Sequence, residues 1–213
     1  MSEKGKFIVL EGIDRSGKST LVDGLYHHLE NMGLDIYLTD EPTSFFDDRF
    51  KSLYEKEPSP ETEFPVLTSL FLEDRMIHNR TIKEKLSEGK VVLCVRYSLS
   101  TFAYQGVYFR KYFPDDNAFF EWMLTFMKMF HINPDLTIFI DFDSQMFRER
   151  GSRGKRYLLF EKEQYLSEVY GLYRMCVEKK ALSQAYLNIP GRLNIEEMRD
   201  IALNDVIKLI KEW

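Results

Sequence analysis

Apolar positions along the 213-residue chain fall into two spacings that alternate from the N-terminal end onward. Phe7-Ile-Val-Leu10 is a continuous apolar run that ends at Gly12, after which Leu21, Val22, Leu25, Leu29 and Met32 recur at helical spacing. That order predicts a buried strand, a loop and a helix packed back on the strand. Asp35 to Thr39 reads as a second strand stopped by Pro42, and Val91-Val-Leu-Cys-Val95 as an inner parallel strand covered on both faces. Leu136 to Ile140 repeats the pattern, and Tyr186 to Ile189 does so more weakly.

Between the strands, Leu67, Leu70, Phe71, Ile77, Ile82 and Leu86 predict one long helix or a broken pair, with Gly89 as its stop signal. The acidic, Pro-rich stretch from Asp47 to Phe64 reads as a short helix and a loop. Further helices are expected over residues 100–108, 117–131, 161–180 and 195–211. Alternation of β and α elements predicts an α/β three-layer sandwich: a parallel sheet of about five strands with helices on both faces, in a single domain spanning 1–213. The stripe Phe119, Phe120, Trp122, Phe126 and Phe130 reads as core or subunit interface.

Composition narrows the partners. Twenty-nine basic against 34 acidic side chains give a formal charge of -5, so no net positive field exists to hold a nucleic-acid backbone. A small phosphorylated ligand is still compatible, because local clusters of Arg and Lys can hold one within an acidic protein. Met1 to Phe7 lacks the long apolar stretch of a secretory signal and no segment approaches membrane-spanning length, so a soluble cytoplasmic protein is expected. Cys94 and Cys176 lack metal-ligand spacing and are expected to be reduced thiols in packed elements.

The strongest chemical signal is Gly12-Ile-Asp-Arg-Ser-Gly17-Lys18-Ser19, a GxxxxGK[ST] loop set between a predicted strand and a predicted helix. Its glycines permit a turn in which successive backbone N–H groups, from Gly12, Ile13, Asp14, Arg15 and Ser16 through Thr20, face one anion. Lys18 would bring a mobile charge to the β and γ phosphates of a triphosphate, and Ser19 would turn its hydroxyl to Mg2+. The loop alone does not separate a kinase from a GTPase or a motor. An NKxD base-reading segment is absent and the chain is short for a motor, which favours a kinase.

Phosphoryl transfer requires positive charge around the moving group, so arginines at strand ends and in a covering segment are the next candidates. Arg96 follows the Val91–Val95 strand, where its planar fork would hold an acceptor phosphate. Arg15 lies within the phosphate loop. Arg148, Arg150, Arg153, Lys155 and Arg156, with Gly151 and Gly154, suit a lid over residues 148–160 that excludes water. Phe71 and Arg75 are four residues apart on a predicted helix, so a ring and a guanidinium would face one cleft.

With these residues in place, the chain resembles the thymidylate kinase family of P-loop nucleoside monophosphate kinases. The likeness runs through EGIDRSGKST, DEPTS, SLFLEDRMIH, KEKLSEGKVVLCVRYSLSTFAYQG, PDLTIFID and RGSRGKRY. The resemblance implies that Phe71 stacks on thymine, Arg75 bonds its carbonyl, Arg96 holds the monophosphate and Pro42 lines the pocket. It places Ser100, Thr101 and Gln105 around the base-reading positions and Tyr104 against the sugar 2' position. Asp14 would touch the acceptor and the metal hydration shell, Arg15 would be a catalytic arginine supplied by the loop, and Arg150 would lie against adenine. Homodimerisation is implied as well.

The implied reaction is transfer of the ATP γ-phosphoryl group to dTMP with Mg2+, giving dTDP, with Arg15 and Arg153 or Arg156 neutralising the moving charge. Two departures bear on it. The family usually carries Asp-Arg-Tyr or Asp-Arg-His where this chain has Val95-Arg96-Tyr97, and many members carry Arg-Glu-Pro where it has Asp40-Glu41-Pro42. Val95 in place of a carboxylate leaves two outcomes open, rescue by Asp14, Glu41 or Asp141, or a nucleotide-binding regulatory protein with little turnover; a kinase for another deoxynucleotide or nucleoside also stays open, because base specificity rests on the resemblance.

Overall fold

The computed structural model describes residues 5–44, 60–149 and 163–211. Five strands, β1 (Lys6–Glu11), β2 (Ile36–Asp40), β3 (Val91–Val95), β4 (Leu136–Asp141) and β5 (Tyr186–Pro190), form one sheet in the order β2-β3-β1-β4-β5, all parallel. Each strand is followed by helix: α1 (Lys18–Asn31), α2 (Pro60–Ser87), α3 (Ser98–Arg110), α4 (Asp116–Lys128), α5 (Ser144–Glu149), α6 (Glu163–Glu178) and α7 (Ile195–Lys211). Helices lie on both faces of the sheet, as the apolar alternation requires.

Central β1 shows why. Ile8 and Leu10 enter a large core with Leu21, Leu25 and Leu29 of α1, while Phe7 and Val9 enter a second cluster with Ile82 and Leu86 of α2. A strand buried on both faces gains from apolar side chains at every position, which is why Phe7-Ile-Val-Leu10 reads as a continuous run. Phe119 and Phe120 of α4 are core residues, whereas Trp122 is 39% exposed and stacks on Phe126.

Differences from the sequence reading sit at element ends, except for the short helix α5, which was not expected and takes in Arg148 from the start of the expected lid. α2 begins at Pro60, inside the stretch expected to be a short helix and loop, and runs as one unbroken helix. The remainder of that stretch, 47–59, lies outside the described residues. α4 ends at Lys128 rather than 131 and starts from an Asp115 cap whose carboxylate accepts the Ala118 N–H at 2.9 Å. His131 beyond it turns back onto α3, its Nδ1 2.8 Å from the Ser98 hydroxyl. Cys94 and Cys176 are buried free thiols, their pKa values raised by burial. Among the described residues, no helix is long and apolar enough to cross a membrane.

Burial pulls the His131 imidazole down to about 4. The unfolded chain therefore binds more protons than the folded one between pH 4 and the ordinary value of about 6.5. This side chain's contribution should be complete above pH 6.5 and fall on acidification, by on the order of 1–3 kcal/mol. Urea unfolding of wild type and His131→Gln across that range should show their stability difference shrinking as pH drops. A difference independent of pH would remove His131 from the acid response.

Candidate active site

The C-terminal ends of β1, β2 and β3 meet above the sheet, and the loop from β1 to α1 passes over them. Gly12 adopts φ 144°, and a Cβ there would lie 2.9 Å from the Ile140 carbonyl oxygen. Gly17, at φ 101°, sets the start of α1. Both conformations require glycine. The turn folds Lys18 back on its own loop, where Nζ donates to the carbonyls of Gly12 (2.9 Å) and Ile13 (2.7 Å) and to the Ser16 hydroxyl (3.3 Å). Burial first, and then the charge of Arg96, pull the Lys18 ammonium down to about 7. An entering polyphosphate would supply the anion that restores its ordinary basicity.

Arg96 is the first residue past β3 and sits at φ 66°. Its Nη2 donates to Asp14 Oδ1 at 2.6 Å, its Nη1 to the Ser100 hydroxyl at 3.2 Å, and its guanidinium lies 5.2 Å over the Tyr104 ring. The Tyr104 hydroxyl donates to Asp14 Oδ2 at 2.8 Å and accepts the Asp14 N–H at 3.1 Å. Burial acts to raise the Asp14 pKa, but the charges of Arg96 and Lys18 and the Tyr104 bond outweigh it, so its carboxyl lies below the usual range. Burial likewise opposes the charge on Arg96, and Asp14 outweighs it, so the guanidinium stays ionised.

Asp14, Arg15, Lys18, Ser19 and Thr20 from the loop, with Asp40, Glu41, Val95 and Arg96 from the ends of β2 and β3, line an open cleft of about 590 Å³. Asp40 and Val95 are register partners on adjacent strands, so a carboxylate stands beside the position where Val95 presents a methyl surface. Ser19 and Thr20 are exposed. The Arg15 guanidinium rests 4.6 Å over the Phe147 ring of α5.

Beneath the cleft lies a buried charged network. Arg75 of α2 is 1% exposed. Its Nε and Nη2 donate to Glu41 Oε2 at 2.9 and 2.6 Å, and Nη2 also donates to the Thr101 hydroxyl at 2.9 Å. Glu41 Oε1 lies 3.1 Å from His78 Nδ1, and His78 Nε2 lies 2.8 Å from the Thr39 hydroxyl. Burial works against the Arg75 charge, but Glu41 outweighs it and raises the pKa. Among the described residues, Arg75 Nη1 is the buried side-chain nitrogen or oxygen without a hydrogen-bond partner. Such an atom is costly unless a ligand acceptor completes it.

Phe71 is half-buried against the core one helical turn before Arg75, Pro42 is half-buried next to Glu41, and Gln105 is buried on α3. The structure thus brings the loop residues, Arg96, Ser100, Tyr104 and Asp14 into one constellation, and Arg75 with Thr101 into an adjoining one. Arg150, Arg153, Lys155 and Arg156, and with them most of the expected lid, lie outside the described residues. Glu11 and His78 carry much of this geometry without having been singled out in the sequence, and Glu41, considered there for Mg2+, instead holds Arg75. For Glu11 the available signal was a charged residue closing an apolar strand, which has to find polar partners when buried.

Glu41→Ala would strand a fully buried guanidinium. Unfolding in urea should show a loss of about 3–5 kcal/mol. A loss below about 1 kcal/mol would show that Arg75 has found another anion.

Residues 10–200 match the model of the thymidylate kinase family. The "Probable thymidylate kinase" of Thermoplasma acidophilum is 34% identical over 169 residues, 79% of this chain and 82% of that protein. The "Thymidylate kinase" of Desulfotalea psychrophila is 32% identical over 212 residues, 98% of this chain and 95% of that protein. The "Probable thymidylate kinase" of Methanococcoides burtonii is 32% identical, covering 98% of this chain and 99% of its own length. The chain belongs to the thymidylate kinase family, and with it to the P-loop kinases of nucleoside monophosphates.

Proposed function

From membership of that family, we propose that the chain transfers the γ-phosphoryl group of ATP to dTMP, giving dTDP and ADP. The observation that carries this reading is the convergence of Lys18 and Arg96 on one cleft. Two cations on opposite supports, a loop and a strand end, match a reaction in which two phosphate groups are brought in line. The loop amides and Lys18 hold the donor, and Arg96 takes the acceptor phosphate in its fork. Arg15 can leave its place over Phe147 to meet charge spreading on the moving group, with Arg153 or Arg156 closing from the lid and Arg150 against the adenine. An ionised acceptor phosphate needs no general base from the protein.

The base reading is supported by Arg75, whose unpartnered Nη1 is a donor waiting for a carbonyl oxygen. Phe71 offers the stacking plane, Pro42, Thr101 and Gln105 the surrounding wall, and Tyr104, locked to Asp14, the surface that disfavours a 2'-hydroxyl. Mg2+ fits the donor set present: the Ser19 hydroxyl and the carboxylates of Asp14 and Asp40 are hard oxygens around an open cleft. When bound, the ion neutralises charge on the donor's β and γ oxygens. Asp40 then supplies the carboxylate that Val95 lacks. We further propose a cytoplasmic homodimer, in which the exposed edge of the Trp122 stripe is covered.

Initial rates with ATP and Mg2+ should rank dTMP first and dUMP next among dTMP, dUMP, dCMP, dGMP and thymidine. Preference for a cytosine or purine nucleotide, or for thymidine, would replace the acceptor assignment; ATP binding with no product from any of them would favour a regulatory role. Lys18→Ala should remove most turnover, by roughly 100-fold or more, with an unchanged thermal transition. Asp40→Asn should weaken Mn2+ retention on the ATP complex by several-fold in electron paramagnetic resonance titrations. Unaltered retention would exclude Asp40 from the ion's shell.

A further inference from the structure

Arg96 occupies a left-handed backbone conformation at the point where β3 leaves the sheet, and a non-glycine residue needs outside support to remain there. Its N–H still follows the β1 ladder, donating to the Leu10 carbonyl at 2.9 Å, and its own carbonyl accepts the Cys94 thiol at 3.0 Å. One residue later the ladder ends. The Tyr97 N–H is met by a side chain, Glu11 Oε1, at 2.8 Å, and the same oxygen accepts the Ser100 N–H at 3.2 Å. Glu11 Oε2 accepts the Ser100 hydroxyl at 2.7 Å and the Tyr173 hydroxyl of α6 at 3.1 Å. Ser100 in turn accepts Arg96 Nη1. Glu11 is 0% exposed and itself a β1 residue, so this set of bonds is anchored in the centre of the sheet.

We propose that Glu11 is the positioning residue for Arg96. By holding the backbone on the far side of the bend and the hydroxyl under the guanidinium, it fixes where the acceptor phosphate is received. This inference rests on the monophosphate-kinase reading. It adds that acceptor geometry is set from β1, the strand that also launches the phosphate loop, so donor and acceptor supports share one rigid origin.

Two conservative substitutions separate reach from charge. Glu11→Gln keeps the length and a carbonyl oxygen for both N–H groups, and the Ser100 hydroxyl can accept from the new amide. Glu11→Asp keeps the acid but withdraws it by one methylene. Calorimetric titrations with dTMP, and separately with ATP and Mg2+, should show dTMP bound about tenfold more weakly by Glu11→Asp and within about threefold of wild type by Glu11→Gln. ATP affinity should change less than about threefold in both. The reverse order, with Gln the more damaging, would assign Glu11 an electrostatic role and overturn the proposal, as would equal losses for dTMP and ATP. Should Glu11→Asp fail to fold, Ser100→Ala removes the bridging hydroxyl without touching β1. It should weaken dTMP several-fold while sparing ATP, and an unchanged dTMP affinity would overturn the proposal. Absence of binding of any monophosphate by wild type would instead sink the kinase reading, and the positioning role with it.

Discussion

Two positive side chains, Lys18 and Arg96, share a cleft also lined by the carboxylates of Asp14, Asp40 and Glu41, and the rest of the site is organised around that balance of charge. Burial first, and then the nearby charge of Arg96, depress the basicity of Lys18. The fold offsets the repulsion locally. Loop carbonyls take the ammonium, and Asp14, itself held by Tyr104, takes the guanidinium. Carbonyl, carboxylate and hydroxyl oxygens thus give both cations hydrogen-bond partners within the fold.

A second layer of charge lies deeper and serves a different purpose. Arg75, Glu41 and His78 are buried, and a buried ion pair is seldom retained for stability alone. Here one donor of Arg75 is left over after Glu41 and Thr101 have taken theirs. In the proposed function this rigidly held, desolvated donor would discriminate among bases, because a ligand lacking the matching acceptor leaves it unpaired. In the proposed reaction, residues that meet charge and residues that read chemical identity stand on separate supports, the strand ends for the former and α2 for the latter.

Much of this was legible in the chain. The five strands, the long second helix and the phosphate loop follow from apolar runs, helical spacing and the glycines at 12 and 17, because each is a short-range constraint written within one segment. Element ends were less legible. Pro60 as the start of α2 and Lys128 as the end of α4 depend on packing and capping that compete with the local pattern. Arg96 and Arg75 were recognisable as candidates from position and family likeness, but their partners were not.

Amino-acid order by itself determined the sheet-and-helix alternation, the anion-binding bend and the identity of the charged groups, since these arise from backbone freedom and periodicity over a few residues. Only the tertiary structure decided that Glu11 reaches Tyr97 and Ser100, that Glu41 secures Arg75, and that Asp40 stands beside Val95. Those pairings join residues up to 89 positions apart. They exist because parallel strands bring the ends of distant segments to one edge, and burial there obliges each polar atom to find a partner.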